Sequence, residues 1–159
     1  MRLPNGSVGG RNLTGGQALL TIVLCLVFSV FVLAINSVLL MDQMHRSGVF
    51  VALLLAILFL LFPATPKSPR DRFTTIDFIL AIAGAAIGLY IYFRYETFTG
   101  GAFTISTTDY VFAIGAILLA LEAGRRSIGI WMSLLSIVFF AYALFGEYVP
   151  GPFGHFPIA

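Results

Sequence analysis

Charge is scarce in this chain. Only 10% of its 159 residues are Asp, Glu, Lys or Arg, against 59% that are hydrophobic. A soluble domain carries about 25% charged and roughly 45–50% apolar residues. A domain of this length has too little interior to hide so much apolar surface, and a disordered chain needs the opposite balance. With a mean hydropathy of +0.99, the solvent that suits most of this sequence is lipid. The net charge is +2 and the nine basic residues are scattered rather than striped, which argues against nucleic-acid binding. Cysteine is nearly absent: Cys25 stands alone in an apolar run, so neither an intrachain disulfide nor a cysteine metal cluster is available. His45 and His155 have no His, Cys or carboxylate at ligand spacing and are not read as metal ligands. No cofactor is expected. The phosphate-binding loop, the zinc-protease helix and the nucleophile elbow are all missing from the sequence. No charged residue sits at the centre of an apolar run, where proton relays and ion pathways keep theirs.

What is present is a succession of five apolar segments: 18–40, 48–62, 75–93, 110–121 and 128–145. They predict an all-α integral membrane protein, a bundle of five transmembrane helices over 18–146. A helix needs ~20 residues to cross a hydrocarbon core of ~30 Å. Segment 48–62 is short and crosses only with help from its flanks. Segment 110–121 is shorter still, and if it lies in the interface only four spans remain. Residues 1–17 read as a mobile polar tail and 147–159 as a short C-terminal tail. The first apolar run follows Arg2 and Arg11, but it exceeds a signal-peptide core of ~7–15 residues, so an uncleaved anchor is expected. Pro63 and Pro66 stop the second segment. The Thr-, Gly- and aromatic-rich loop 94–109 predicts a small hairpin about Gly100-Gly101, with Ser106, Thr107 or Thr108 capping the next helix.

Basic residues collect on the cytoplasmic side. With the N-terminus inside and five spans, the inside holds Arg2, Arg11, Lys67, Arg70, Arg72, Arg125 and Arg126. The outside holds Arg46 and Arg94, which accounts for all nine basic residues. The N-terminus is therefore expected in the cytoplasm and the C-terminal tail in the periplasm. Tyr90, Tyr92, Tyr95, Tyr110, Tyr142 and Tyr148 then all fall near the outer interface, the depth that suits an amphipathic ring, with Trp131 near the inner one.

Small residues mark two helix faces. Gly84 and Gly88, widened by Ala81 and Ala85, form a GxxxG stripe; Ala116, Ala120 and Gly124 recur at every fourth position. Such stripes allow close helix approach, within this chain or with a partner, and these two stripes can face each other. Glu122, Arg125 and Arg126 place opposite charges on one helix face at i+3 and i+4. They read either as a local ion pair with positive-inside anchoring or as a contact with a partner subunit or an anionic lipid headgroup. Asn36 is expected to bond across a helix interface. Asp77 is expected to be satisfied by Arg72 or by a helix N-terminus.

Four stretches then stand in order: HRSGVFVALLLAILFLLFP (45–63), TTIDFILAIAGAAIGLYIYFRYE (74–96), TTDYVFAIGAILLALEAGRRSIG (107–129) and LFGEYVPGPFGH (144–155). Together they resemble the small membrane subunit of tripartite ATP-independent periplasmic (TRAP) transporters. They are most similar to the small-subunit region fused ahead of the large permease in systems with a TAXI-type binding protein. The more specific elements are Leu121-Glu122-Ala123 with Arg125-Arg126 and Gly129, and Leu144–Gly151. The resemblance covers roughly 18–155, with no large permease following in this sequence. It implies a bacterial or archaeal inner-membrane protein that is not an enzyme. Its partners would be a large TRAP permease subunit, a periplasmic TAXI-type substrate-binding protein and membrane lipids. In such a system the binding protein captures an organic anion and an ion gradient, commonly sodium, drives uptake. The small subunit braces the static part of the large one. Loop 94–109 and tail 146–159 would face the periplasm and are candidates for touching the binding protein. The small subunit of a tripartite tricarboxylate transporter, and a small membrane enzyme acting on lipids, are the alternatives.

Overall fold

The computed structural model of the protein describes residues 10–37, 41–65, 68–99 and 105–145. Among these residues there are five helices and no strand: α1 (Gly15–Ser37), α2 (Gln43–Leu61), α3 (Thr75–Thr99), α4 (Thr107–Ser127) and α5 (Ile130–Phe145). Helices α1 to α4 are long and apolar enough to cross a membrane, whereas α5 has 16 described residues, about 24 Å at 1.5 Å per residue.

The helix ends follow from local chemistry. Phe62 takes an extended conformation (φ −106°, ψ 121°) and ends α2, as the residue before Pro63 must. Helix α3 begins at the sequence Thr74-Thr75-Ile76-Asp77 and α4 at Ser106-Thr107-Thr108-Asp109. In both, the aspartate reaches back to the N-cap amide: Thr74 N–H donates to Asp77 Oδ2 at 3.3 Å and Ser106 N–H to Asp109 Oδ2 at 2.7 Å. This is the carboxylate half of a capping box. Gly129 turns the chain from α4 into α5 with φ +123°, a backbone region that disfavours any residue with a Cβ.

Helices α2 and α3 form the tightest pair, and the small-residue stripe is the reason. A Cβ on Gly84 would lie 2.6 Å from the Leu55 Cβ, one on Gly88 would lie 2.5 Å from the Ala52 Cβ, and one on Gly48 would lie 2.7 Å from the Gly88 carbonyl oxygen. Gly84 and Gly88 therefore serve an interface inside the chain, against α2. The stripe on α4 does not meet them, so the facing of the two stripes that the sequence allowed is not the one adopted. Helix α4 turns Phe112, Gly115 and Leu119 toward Ala83, Ala86 and Ile87 of α3, and Tyr90 stacks on Phe112 at 3.8 Å. Ala116 is half-buried, and Ala120 lines a groove between α4 and α5 with Ile117, Leu121 and Phe140. A hydrogen bond from Ser133 Oγ to the Leu121 carbonyl (2.7 Å) ties α5 antiparallel to α4.

The small core comprises Leu55, Phe59, Leu60, Ala81 and Ala123. Helices α1 and α5 pack on the outside with most of their large apolar side chains exposed.

Several boundaries differ from the sequence reading. The segments expected at 48–62 and 110–121 extend through polar flanks into α2 and α4 and reach spanning length. The short helix is instead α5. The hairpin expected in loop 94–109 is replaced up to Thr99 by helix, because α3 continues there, while residues 100–104 lie outside the described residues. The tail 147–159, Lys67, Tyr148 and most of the Leu144–Gly151 element also lie outside them.

Candidate functional site

The charged residues gather at two places on α3 and α4. At the end where α3 starts and α4 finishes, five side chains interlock. Asp77 Oδ1 accepts from Arg126 Nη1 at 2.6 Å, and Asp77 Oδ2 accepts from Arg11 Nη2. Glu122 Oε1 accepts from Arg126 Nε and from Arg125 Nη2, each at 2.7 Å, and Glu122 Oε2 accepts from Arg125 Nε at 2.7 Å. Arg125 Nη2 also donates to the Ala64 carbonyl at 3.1 Å, reaching the segment after α2. The guanidinium of Arg126 lies 5.1 Å over the Phe59 ring, an arrangement in which the ring face attracts the cation.

This cluster is dry at its centre. The side chains of Arg11, Asp77 and Arg126 are 0%, 1% and 2% exposed. Three cations face two carboxylates, so the surplus is one positive charge. Arg11 Nε and Nη1 and Thr74 Oγ1 are buried without a hydrogen-bond partner. Desolvating ions is expensive and is repaid only where each charge is well partnered. Asp77 is well partnered, with three donors on its two oxygens, whereas Arg11 is only partly so.

Arg11 was expected in a mobile tail, and that expectation fails. Its amide donates to the Leu61 carbonyl at 3.0 Å and the Asn12 amide to the Arg70 carbonyl at 2.9 Å. The Phe73 amide donates to Gln17 Oε1 at 3.1 Å. These bonds occupy backbone groups at the end of α2 and in the following loop that hydrophobic neighbours would leave unpaired, and so they fasten residues 11–17. Asp77 likewise takes Arg11 and Arg126 as its charged partners rather than Arg72, although the expected helix N-terminus does contribute through Thr74.

At the opposite end, Asp109 accepts from Arg94 Nε (3.0 Å) and Arg94 Nη2 (3.1 Å), and from the Tyr90 hydroxyl. The two ends mirror each other. Each helix offers a first-turn aspartate to an arginine near the other helix's last turns. Both Asp77 to Arg94 and Asp109 to Arg126 span 17 residues of sequence, about 26 Å of helix. That length approaches the ~30 Å thickness of a hydrocarbon core.

Of the residues singled out from sequence, Glu122, Arg125 and Arg126 belong to this network, Gly84 and Gly88 to the α2–α3 contact, and Ala120 to the α4–α5 groove. Asp109, Arg94 and Arg11 were not singled out. The Ser/Thr-x-x-Asp pattern at both helix starts was the available signal for the first. Asn36 bonds the Val32 carbonyl of its own helix at 2.7 Å rather than crossing an interface. His45 packs edge-on to Tyr92 at 4.6 Å. Among the described residues no group of three or more His, Cys, Asp or Glu is placed to hold a metal. Chemically, the network holds helices and the chain before α1 in register.

No protein-family profile, no curated protein and no solved structure matches this chain.

Proposed function

We propose that this protein is the small membrane subunit of a TRAP-type secondary transporter, lying in a bacterial or archaeal inner membrane with its N-terminus in the cytoplasm. It braces a large permease subunit that moves an organic anion delivered by a periplasmic TAXI-type binding protein. The observation that carries this reading is the ionic network. The residues on which the TRAP resemblance is most specific, Glu122, Arg125, Arg126 and Gly129, are those that join α4 to α3, to the segment after α2 and to α5. Those contacts make a rigid frame. The apolar faces of α1 and α5 remain outward, offering a brace a broad surface to lay against a larger helical partner.

The test is affinity purification of the chain from its native membrane in mild detergent. A much larger polytopic permease co-purifying in fixed ratio is the expected result. A homogeneous homo-oligomer, or solute uptake by liposomes containing this chain alone, overturns the reading.

A further inference from the structure

Between the end of α1 and the start of α2 lies an open groove of about 420 Å³, lined by Val32, Ile35, Asn36, Arg46, Ser47, Phe50 and Val51. It is amphipathic along its length. Val32, Ile35, Phe50 and Val51 make apolar walls, while Arg46, Ser47 and Asn36 are its polar residues. Arg46 is half-buried, and among the described residues its guanidinium has no ion-pair or hydrogen-bond partner. Asp42, one turn earlier, does not pair with it and makes no side-chain cap on α2. Among the described residues the cation at the groove thus has no paired carboxylate, which favours an anion. Every other described arginine inside the helical bundle has a carboxylate partner.

We propose that this groove binds an anionic glycerophospholipid, its phosphodiester at Arg46 and Ser47 and an acyl chain along Val32, Ile35, Phe50 and Val51. Three features select a lipid. The groove lies at an end of two helices that are each long and apolar enough to cross a membrane. Its volume falls in the ~300–1,000 Å³ range of ligand sites. Its charge sits at one end of an apolar channel, as a lipid's charge sits at one end of its chains. The inference is independent of any transport role and of which side of the membrane the groove faces.

Quantitative lipid analysis of detergent-purified protein tests it, with vesicles of phosphatidylglycerol or phosphatidylcholine as the probes. Wild type should retain phosphatidylglycerol in preference to phosphatidylcholine. Arg46→Gln should reduce that retention about fivefold, the effect of one basic residue on an anionic headgroup. Arg46→Lys should restore most of it, and Arg72→Gln, at an exposed arginine beyond the opposite end of α2, should leave it unchanged. Ile35→Trp, which fills the apolar wall and leaves the charge in place, should also lower retention and serves if Arg46→Gln does not fold. Equal retention in wild type, Arg46→Gln and Ile35→Trp overturns the proposal. Displacement of the lipid by soluble glycerol phosphate at equal concentration overturns it too, since that marks a site for a free phosphate ester.

Discussion

Asp77 and Arg11 differ in what their loss leaves behind. Removing the Asp77 charge strands the Arg11 guanidinium and leaves Arg126 with Glu122 alone, and both guanidinium groups are almost fully enclosed. Breaking a buried pair in this way costs about 3–5 kcal/mol, because the remaining charge is uncompensated. Asp77→Asn is therefore expected to lower the melting temperature of the detergent-solubilised protein sharply. Arg11→Met removes one of two cations from Asp77 and also removes two buried donors that lack acceptors. It should cost much less than Asp77→Asn. Parallel thermal melts check the order, and a larger loss for Arg11→Met refutes this account of the network. Asp109 makes the same argument at the other end: Asp109→Asn weakens both the Arg94 tie and the carboxylate cap on Ser106. Faster amide exchange over the first two turns of α4 is the expected readout, with little change near Arg126. Much of this was legible at residue level. The i+3 and i+4 spacing of Glu122, Arg125 and Arg126 gave their local pairing. The partners on other elements were not legible, because which helix faces meet is a property of packing. Arg11 was hardest, since a glycine-rich polar stretch gives no periodic signal that it will fold back on α2.

The helical elements show why some small residues are essential and others are not. Gly48, Gly84 and Gly88 sit where α2 and α3 nearly touch, and any side chain there meets backbone or a Cβ within 3 Å. Gly115 is different: an added Cβ would meet only the Ile87 Cδ1, at 3.5 Å, an ordinary van der Waals contact. Gly88→Val is expected to destabilise by about 1–3 kcal/mol or more through forced separation of the pair. Gly115→Ala is expected to be neutral or mildly stabilising, since alanine favours helix. Thermal melts of the two variants side by side decide this, and equal losses refute the assigned packing. The sequence pattern identified the stripe on α3 but not its partner, because a GxxxG face fits any smooth neighbour. Element number and type were legible from apolar run length. The ends were not: α2 and α4 extend through Gln43–Ser47 and Glu122–Ser127, where polar residues remain good helix formers after the apolar run has ended.

At the scale of the whole molecule, in the membrane placement we propose, the two ionic ends mark a thickness and the basic residues predict a direction. Turning the protein over would move Arg11, Arg125 and Arg126 together with the basic loop at Arg70 and Arg72 to the far side, and translocating clustered Lys and Arg close to spans is strongly disfavoured. The arginine ties sharpen this argument, because Arg11 and Arg126 bind one carboxylate and must end on the same side. Single cysteines in a Cys25→Ser background test the direction. Asp42→Cys, at an exposed position just before α2, should label with an impermeant maleimide in intact cells once any outer permeability barrier is opened. Arg72→Cys, exposed before α3, should label only after the inner membrane is broken. The opposite pattern reverses the orientation and places the Arg46 groove in the cytoplasmic leaflet. Labelling of both sites in intact cells means that α2 does not cross, and removes the basis for a frame whose two ionic ties stand at the two faces of one bilayer.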